Sequence, residues 1–311
     1  MNRRAATIAA YAGLSLIWGS AWIGRATLAG HIPPLRAEAL RFTIGAATTA
    51  ALAAALRSRW PHGSALRASL LLGITLGVLP SVMVLWGGQR ISAVPLTLMF
   101  GAVPLLAGWI GSTSRFALQA ALVGLGGLAL VLSNGLSFSV DPLGVIAILT
   151  AVACHAWSLV YARRFLRDSV PAGYGSIPAF TAVQLAVAAA ATWLLSVGLE
   201  RGQPWQWSRD AGTAIVLLGA LGAGVGLALY YQLLHTMEPV AVATLQWVLP
   251  IVAIAEGAIL ERILPPASVL LGSGVVLGCI WGVMRARFRS EGPVTLQVTG
   301  APMDESEPKI R

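Results

Sequence analysis

Two pairs of aromatic side chains stand four residues apart inside strongly apolar stretches. Trp18 and Trp22 form the first pair, and Trp157 and Tyr161 form the second. Residues at this spacing share one face of a helix. Tryptophan usually collects at the ends of membrane helices, but Trp18 falls near the middle of its apolar run. Such rings either form an apolar wall that binds a flat or bulky solute, or pack against lipid and neighbouring helices.

Polar side chains within the apolar runs are further candidates. Gln246 shares a helical face with Pro250, as Phe100 shares one with Pro104. An unpaired amide is costly in hydrocarbon, so we expect Gln246 to face protein or a wet cavity. Solute binding and helix-to-helix hydrogen bonding would both satisfy it. Other candidate cavity residues are Ser81, Met83 and Tyr230.

Charged residues at membrane depth are functional candidates because burying them is costly. Arg41 follows Glu38 by three residues, so a local ion pair is the favoured interpretation, with a functional role for Arg41 as the alternative. Arg25 is close enough to its helix end to reach the membrane surface. Glu256 and His155 are the remaining titratable groups that a proton-coupled mechanism could use.

The composition predicts an all-α integral membrane protein. Of the 311 residues, 57% are hydrophobic and 11% are charged, and the mean hydropathy is +0.76. Lys309 is the only lysine, which excludes a Walker A loop for ATP. The net charge of +9 comes from arginines clustered between apolar runs, which indicates membrane orientation rather than nucleic-acid binding. Cys154 and Cys279 lie inside apolar runs, and we expect no metal and no cofactor.

The apolar runs predict ten transmembrane helices, over residues 5–29, 35–56, 68–88, 92–111, 116–134, 143–162, 174–199, 211–234, 239–260 and 265–284. Residues 91–103 approach Pro104 much as residues 237–249 approach Pro250, an offset of 146 positions. This echo predicts one five-helix unit used twice. Because five is odd, the second copy must enter the membrane from the opposite side, so the repeats are inverted.

The predicted domains are a first repeat over residues 1–135, a second over 136–289 and a disordered cytoplasmic tail over 290–311. We expect Pro80, Pro104 and Pro250 to act as hinges. Twelve arginines before the tail fall on the side that holds both chain ends, whereas the opposite loops hold five, namely Arg36, Arg90, Arg201, Arg209 and Arg262. The excess places both ends in the cytoplasm.

Three motifs follow one another along the chain: the run from Leu14 through Trp18, Gly19 and Ser20 to Trp22, the tandem Pro33 and Pro34 followed by Arg41, and the segment 250–261 followed by Gly272. In this order they resemble the EamA family of the drug/metabolite transporter superfamily. The resemblance covers about residues 5–284. It implies ten helices in two repeats and is greatest to bacterial inner-membrane exporters of amino acids and metabolites. The partners it implies are a small-molecule substrate and the lipid bilayer, and we expect a monomer.

Two classes of function fit a chain of this kind. A secondary transporter working by alternating access explains the inverted repeats, the missing soluble domain and the mid-depth aromatic residues. Its solute would be an amino acid, most readily a hydrophobic or aromatic one, or another metabolite or drug. An intramembrane enzyme would need a nucleophile with its base or a metal cluster. The isolated His155, with no His-Glu-x-x-His or Gly-x-Ser-x-Gly pattern, does not supply one.

Overall fold

The structure is a computed structural model that describes residues 3–111, 115–133, 141–169, 176–262 and 264–290. Every regular element in these ranges is a helix, which confirms the all-α class. Eight helical segments in the described part of the chain are long and apolar enough to cross a bilayer. The protein is therefore a multi-pass membrane protein.

The elements of the first half are, in chain order, α1 Arg3–Gly19, α2 Ala21–Leu28, α3 Pro34–Ala55, α4 Gly63–Leu72, the π-helical segment Gly73–Val78 (π1), α5 Leu79–Gly87, α6 Ala93–Phe100, α7 Val103–Ile110 and α8 Arg115–Leu132. Those of the second half are α9 Pro142–Ser169, α10 Ile177–Leu199, α11 Arg209–Leu217, the π-helical segment Leu218–Val225 (π2), α12 Gly226–Thr236, α13 Pro239–Ala243, α14 Leu245–Glu261 and α15 Ala267–Ser290.

Two of the ten predicted spans form helices but do not belong to the eight segments that are long and apolar enough to cross a bilayer. One is α3, which has 22 residues but carries Arg36, Glu38 and Arg41 in its first half. The other is α15, whose described apolar part is Ala267–Val283. The count of ten crossings thus stays a prediction.

Three predicted spans are interrupted. The span 5–29 was expected as one helix, but α1 ends at Gly19 and α2 begins at Ala21. The Ser20 hydroxyl lies 2.7 Å from the carbonyl oxygen of Leu16, a side-chain-to-backbone contact that often bends helices. The other breaks lie between α6 and α7 and at Thr244, between α13 and α14.

The sixth predicted span is longer than expected. It was placed at residues 143–162, but α9 continues to Ser169. Arg163, Arg164 and Arg167 therefore lie in the last turns of the helix. Cations are favoured there by the helix dipole, and the guanidinium groups also reach neighbouring helix ends, since Arg163 donates to the carbonyl of His235 and Arg164 to that of Ile110.

Helices from the two halves interlock. The most extensive contact is between α3 and α10, and the next is between α8 and α15. α3 also crosses π2 at Gly45 and Gly219, where a Cβ on Gly219 would lie 2.6 Å from the Cβ of Ile44. Because these glycines have no side chain, the two backbones approach closely.

The domain boundary was predicted between residues 135 and 136. Residues 134–140 lie outside the described part of the chain. The predicted disordered tail likewise lies outside it from residue 291 onward, and Ser290 is the last residue of α15. Both stay predictions.

Candidate functional site

A cavity of about 120 Å³ lies where helices of both halves meet. We call it the central cavity. The first half contributes α1, α3, π1 and α5, and the second contributes α9, α10, π2 and α12. Its polar and aromatic lining residues are Trp18, Arg41, Phe42, Ser81, His155, Gln184 and Tyr230. An apolar wall with a few polar groups is typical of small-molecule sites.

Trp18 and Tyr230 form the aromatic wall. Their ring centroids lie 5.3 Å apart with the planes tilted by 38°. The Trp18 Nε1 donates to the carbonyl oxygen of Gly222 at 2.9 Å. Gly222 belongs to π2, where the π-helical register departs from the regular i to i−4 ladder. The indole is therefore held by both a ring contact and a hydrogen bond.

His155 is the polar centre of the cavity. Its Nε2 lies 3.3 Å from the Tyr230 hydroxyl and 3.4 Å from the Gln246 side-chain nitrogen. Phe100 packs edge-on against the imidazole at a centroid distance of 6.4 Å. Because the hydroxyl and the amide nitrogen can both donate, a neutral imidazole with its proton on Nδ1 satisfies this arrangement. Gln246, predicted from the sequence, thus contacts a lining residue.

Gln184 is a lining residue that the sequence reasoning missed. It is buried, its amide oxygen accepts the Tyr231 hydroxyl, and its nitrogen lies 3.4 Å from the carbonyl oxygen of Leu72. The signal was present, because Gln184 is an amide in an apolar run just as Gln246 is. The cost of an unpaired amide in hydrocarbon applies equally to both.

Arg41 brings positive charge to the central cavity. Glu38, which is buried, binds Arg41 as the spacing predicted. Glu38 also accepts a hydrogen bond of 3.0 Å from Arg25. Arg25 was expected to reach the membrane surface, and in the structure its side chain is 52% exposed while it also pairs with the buried carboxylate. One carboxylate between two guanidinium groups leaves an excess positive charge beside the cavity.

Glu256 lies away from the central cavity. Its carboxylate contacts the Ser20 hydroxyl and accepts a hydrogen bond of 3.1 Å from Trp22 Nε1. These contacts join the break between α1 and α2 to α14. Trp22, predicted to line the site with Trp18, contacts this carboxylate instead and does not line the cavity.

The second aromatic pair also lies away from the central cavity. Trp157 and Tyr161 stack on each other with centroids 5.0 Å apart and planes 10° from parallel. Trp157 is 39% exposed, and neither ring lines the cavity. In this conformation the two aromatic pairs do not meet at the central cavity, because Trp157 lies partly exposed on α9 and Trp22 contacts Glu256. Met83, also predicted, does not line the cavity, whereas Ser81 does.

Two of the three predicted hinge prolines, Pro80 and Pro104, lie close to irregular backbone. Pro80 follows π1, and Pro104 is the second residue of α7, just after the break at Gly101. Pro250 lies inside the continuous helix α14, and the break is at Thr244 instead. Whether any of them acts as a hinge stays a prediction.

The tryptophans near the ends of the predicted spans are partly to largely exposed, as expected of side chains at the membrane interface. Trp60, Trp86, Trp109, Trp205, Trp207 and Trp281 are each at least 39% exposed. Arg90 lies over the Trp86 ring at 3.7 Å and Arg285 over Trp281 at 4.7 Å. Within the described ranges, no group of three or more His, Cys, Asp or Glu side chains is placed to hold a metal ion.

Comparison with known proteins agrees with this architecture. The model of the EamA-like transporter family matches residues 142–285. This segment is similar to the EamA-like transporter family, part of the drug/metabolite transporter superfamily, which confirms over these residues the resemblance predicted from the motifs.

A solved structure described as "Crystal structure of protein" shares the fold. It superposes on 90% of this chain and 98% of its own length, with a TM-score of 0.75 and 19% sequence identity. No curated protein matches the sequence significantly.

Proposed function

We propose that the protein is a secondary transporter that exports small organic metabolites by alternating access through the central cavity. The observation that carries this proposal is the cavity itself, which lies at mid-length of helices from both halves and has an aromatic wall and a few polar groups. Transporter sites commonly lie at such a repeat interface.

The proposed architecture is ten spans in two inverted five-helix repeats. Reciprocal packing supports it: α3 packs on π2 while α10 packs on π1, and α5 packs on α9 while α12 packs on α1. π-Helical segments occur in the third predicted span of each half. In addition, Trp247 Nε1 donates to the carbonyl oxygen of Gly101 at 2.8 Å, and these residues are 146 positions apart. Equivalent residues meet in this way only near a two-fold axis.

The proposed solute is an amino acid, most readily a hydrophobic or aromatic one. Trp18 and Tyr230 offer an apolar, polarisable surface, and Arg41 offers a positive group that fits a carboxylate. The same excess positive charge disfavours cationic drugs.

The proposed setting is the bacterial inner membrane, with both chain ends in the cytoplasm and the protein acting as a monomer without ATP or cofactor. The arginine asymmetry supports the orientation. Nucleic acid is not a proposed partner, because the arginines cluster between spans.

Uptake into sealed proteoliposomes would test the proposal. Preloading with unlabelled leucine, phenylalanine or tryptophan should drive uptake of the labelled amino acid without ATP. Turnover of a substrate by the detergent-solubilised protein, with no uptake into vesicles, would instead favour an intramembrane enzyme.

A further inference from the structure

A second cavity, larger than the first, lies on the side of the protein. It is a groove of about 640 Å³ between α1–α2 and α11–π2, and we call it the lateral groove. Leu16, Ile23, Leu217 and Leu221 line it and are each at least 40% exposed. In a chain that spans the membrane, exposed apolar side chains of this kind face lipid. The groove is therefore open toward the bilayer.

The lateral groove extends from a polar end to mid-membrane depth. Its outer lining includes Arg209 and Asp210, which are exposed at the start of α11. Its inner end is Gly222, in π2. Gly222 follows Arg209 by thirteen positions. This helical rise is about 20 Å, or two thirds of the hydrocarbon layer of about 30 Å. The groove thus connects the membrane surface with the level of the central cavity.

The lateral groove and the central cavity meet at Gly222, beside the Trp18 indole. Gly222 lines both, whereas Trp18 lines only the central cavity and donates to the Gly222 carbonyl at 2.9 Å. A Cβ on Gly226 would lie 2.5 Å from Trp18 Nε1, so the indole lies directly against π2 and α12. Rotation of this indole would join the two spaces.

Irregular backbone flanks the junction on both sides. α1 gives way to α2 at Ser20, and π2 covers Leu218–Val225. π-helical segments often mark functional sites, and irregular backbone at membrane depth is tolerated where it is buried in protein or lines a cavity. Both walls can therefore shift locally at the level of Trp18.

We propose that the lateral groove is the route by which a small amphipathic solute passes between the central cavity and the membrane surface at Arg209, with the Trp18 indole as its gate. This inference rests on the proposed transport function. The solute has an apolar body that slides along Ile23 and Leu221. Its zwitterionic end group is complementary to the opposite charges of Arg209 and Asp210 at the outer end. A lipid acyl chain would need neither these charges nor the junction at Gly222.

Chemical modification of a cysteine in the lateral groove, carried out on the folded protein, tests whether the solute passes along this groove. Leu221→Cys, in a chain that also carries Cys154→Ala and Cys279→Ala, is reconstituted and modified with a bulky methanethiosulfonate. Counterflow of labelled phenylalanine should fall about tenfold or more and return when the adduct is reduced. Leu122→Cys, on the exposed face of α8, is the matched control, and its modification should leave counterflow within about twofold.

A glycine variant provides an independent block. The Cβ position of Gly222 is open, as is that of the lipid-facing Gly126 on α8. Gly222→Phe should abolish counterflow, whereas Gly126→Phe should retain it. Protection distinguishes solute from lipid: added phenylalanine should slow modification of Leu221→Cys but not of Leu122→Cys.

The results of these experiments distinguish a failure of the lateral route from a failure of the proposed transport function. If the unmodified protein transports phenylalanine and modification at position 221 leaves that rate unchanged, the route is wrong and the transport function stands. If only the lipid composition, and never phenylalanine, changes the modification rate at position 221, the groove is a lipid site and the inference is overturned. If the parent protein transports none of the three amino acids, the proposed function fails and the inference fails with it.

Discussion

Trp18 makes two contacts with the second half of the chain. It lies against Tyr230 on the wall of the central cavity, and it donates to a backbone carbonyl of π2. A ring held in this way is preorganised for contact with a solute, because little rotamer entropy remains to be lost on binding.

Truncating this ring should weaken solute binding. An aromatic contact is worth about 0.5–1.5 kcal/mol beyond area burial, so Trp18→Ala should lower the affinity for a bound amino acid about three- to tenfold. Equilibrium binding to purified protein measures this. Trp157→Ala is the control, because Trp157 lies outside the cavity and should leave the affinity unchanged. A larger loss for Trp157→Ala than for Trp18→Ala would place the site elsewhere.

The ion cluster of Glu38, Arg41 and Arg25 beside the central cavity should stabilise the fold. Glu38 is buried between Arg41 and Arg25, so Glu38→Gln leaves the partly buried Arg41 guanidinium without its counter-ion. We expect a loss of about 3 kcal/mol, at the lower end of the range for breaking a buried pair because Arg25 is half exposed. Thermal unfolding in detergent measures the change.

Glu238→Gln is the matched substitution for that measurement. Glu238 is exposed, and its side chain does not cap α13. Its replacement should shift the free energy of unfolding by less than about 0.5 kcal/mol. Equal melting temperatures for the two variants would mean that the cluster does not stabilise the fold.

Some site residues could be predicted from their chemistry and others could not. A charged pair three residues apart and an amide in an apolar run can be recognised in the sequence, so Glu38, Arg41 and Gln246 were found. The direction in which a face points depends on how its helix rotates against its neighbours. For that reason Trp157 and Tyr161 could not be placed from their spacing alone.

At the level of elements, glycines decide how closely the helices approach. A Cβ on Gly272 of α15 would lie 2.6 Å from the carbonyl oxygen of Gly127 and 2.7 Å from the backbone nitrogen of Val131 on α8. Both distances are shorter than a side chain can tolerate next to backbone. The contact between α8 and α15 therefore depends on this glycine.

Gly272→Val should force the two helices apart. Overpacking costs about 1–3 kcal/mol, and more where backbone rather than a side chain is in the way. Gly278→Val changes the same helix at a position whose Cβ meets nothing within 4 Å, so it should be tolerated. Melting curves of both variants in one detergent would decide the matter, and equal curves would contradict the close contact.

The presence of each helix was easier to predict than the breaks within it. Long apolar runs gave the helices, because hydrophobic length is a property of sequence alone. The break at Ser20 depends on a hydroxyl that contacts both Leu16 and Glu256, and the latter is 236 positions away. Local sequence does not reveal such a distant contact, and the same holds for the π-helical register of π1 and π2.

For the whole molecule, the inverted arrangement makes a prediction about sidedness. Ser64→Cys and Gln203→Cys are both at exposed positions. Ser64 is the second residue of α4, where the third span begins, and Gln203 lies between the seventh and eighth spans. Both variants are made in a chain that also carries Cys154→Ala and Cys279→Ala. Membrane-impermeant maleimide added to intact cells should label only position 203, because an odd number of spans separates the two loops. Labelling of both positions from the same side would rule out the inverted repeats.

The proposal that solutes cross the membrane through the central cavity is tested by counterflow with a cavity variant. Proteoliposomes that hold the parent protein, with unlabelled phenylalanine inside and no ATP, should accumulate labelled phenylalanine. Ser81→Trp, which places an indole in the cavity of about 120 Å³, should abolish the uptake, whereas Thr97→Trp, at a partly exposed position of α6 outside the cavity, should preserve it. Undiminished counterflow by folded Ser81→Trp protein would contradict passage through this cavity.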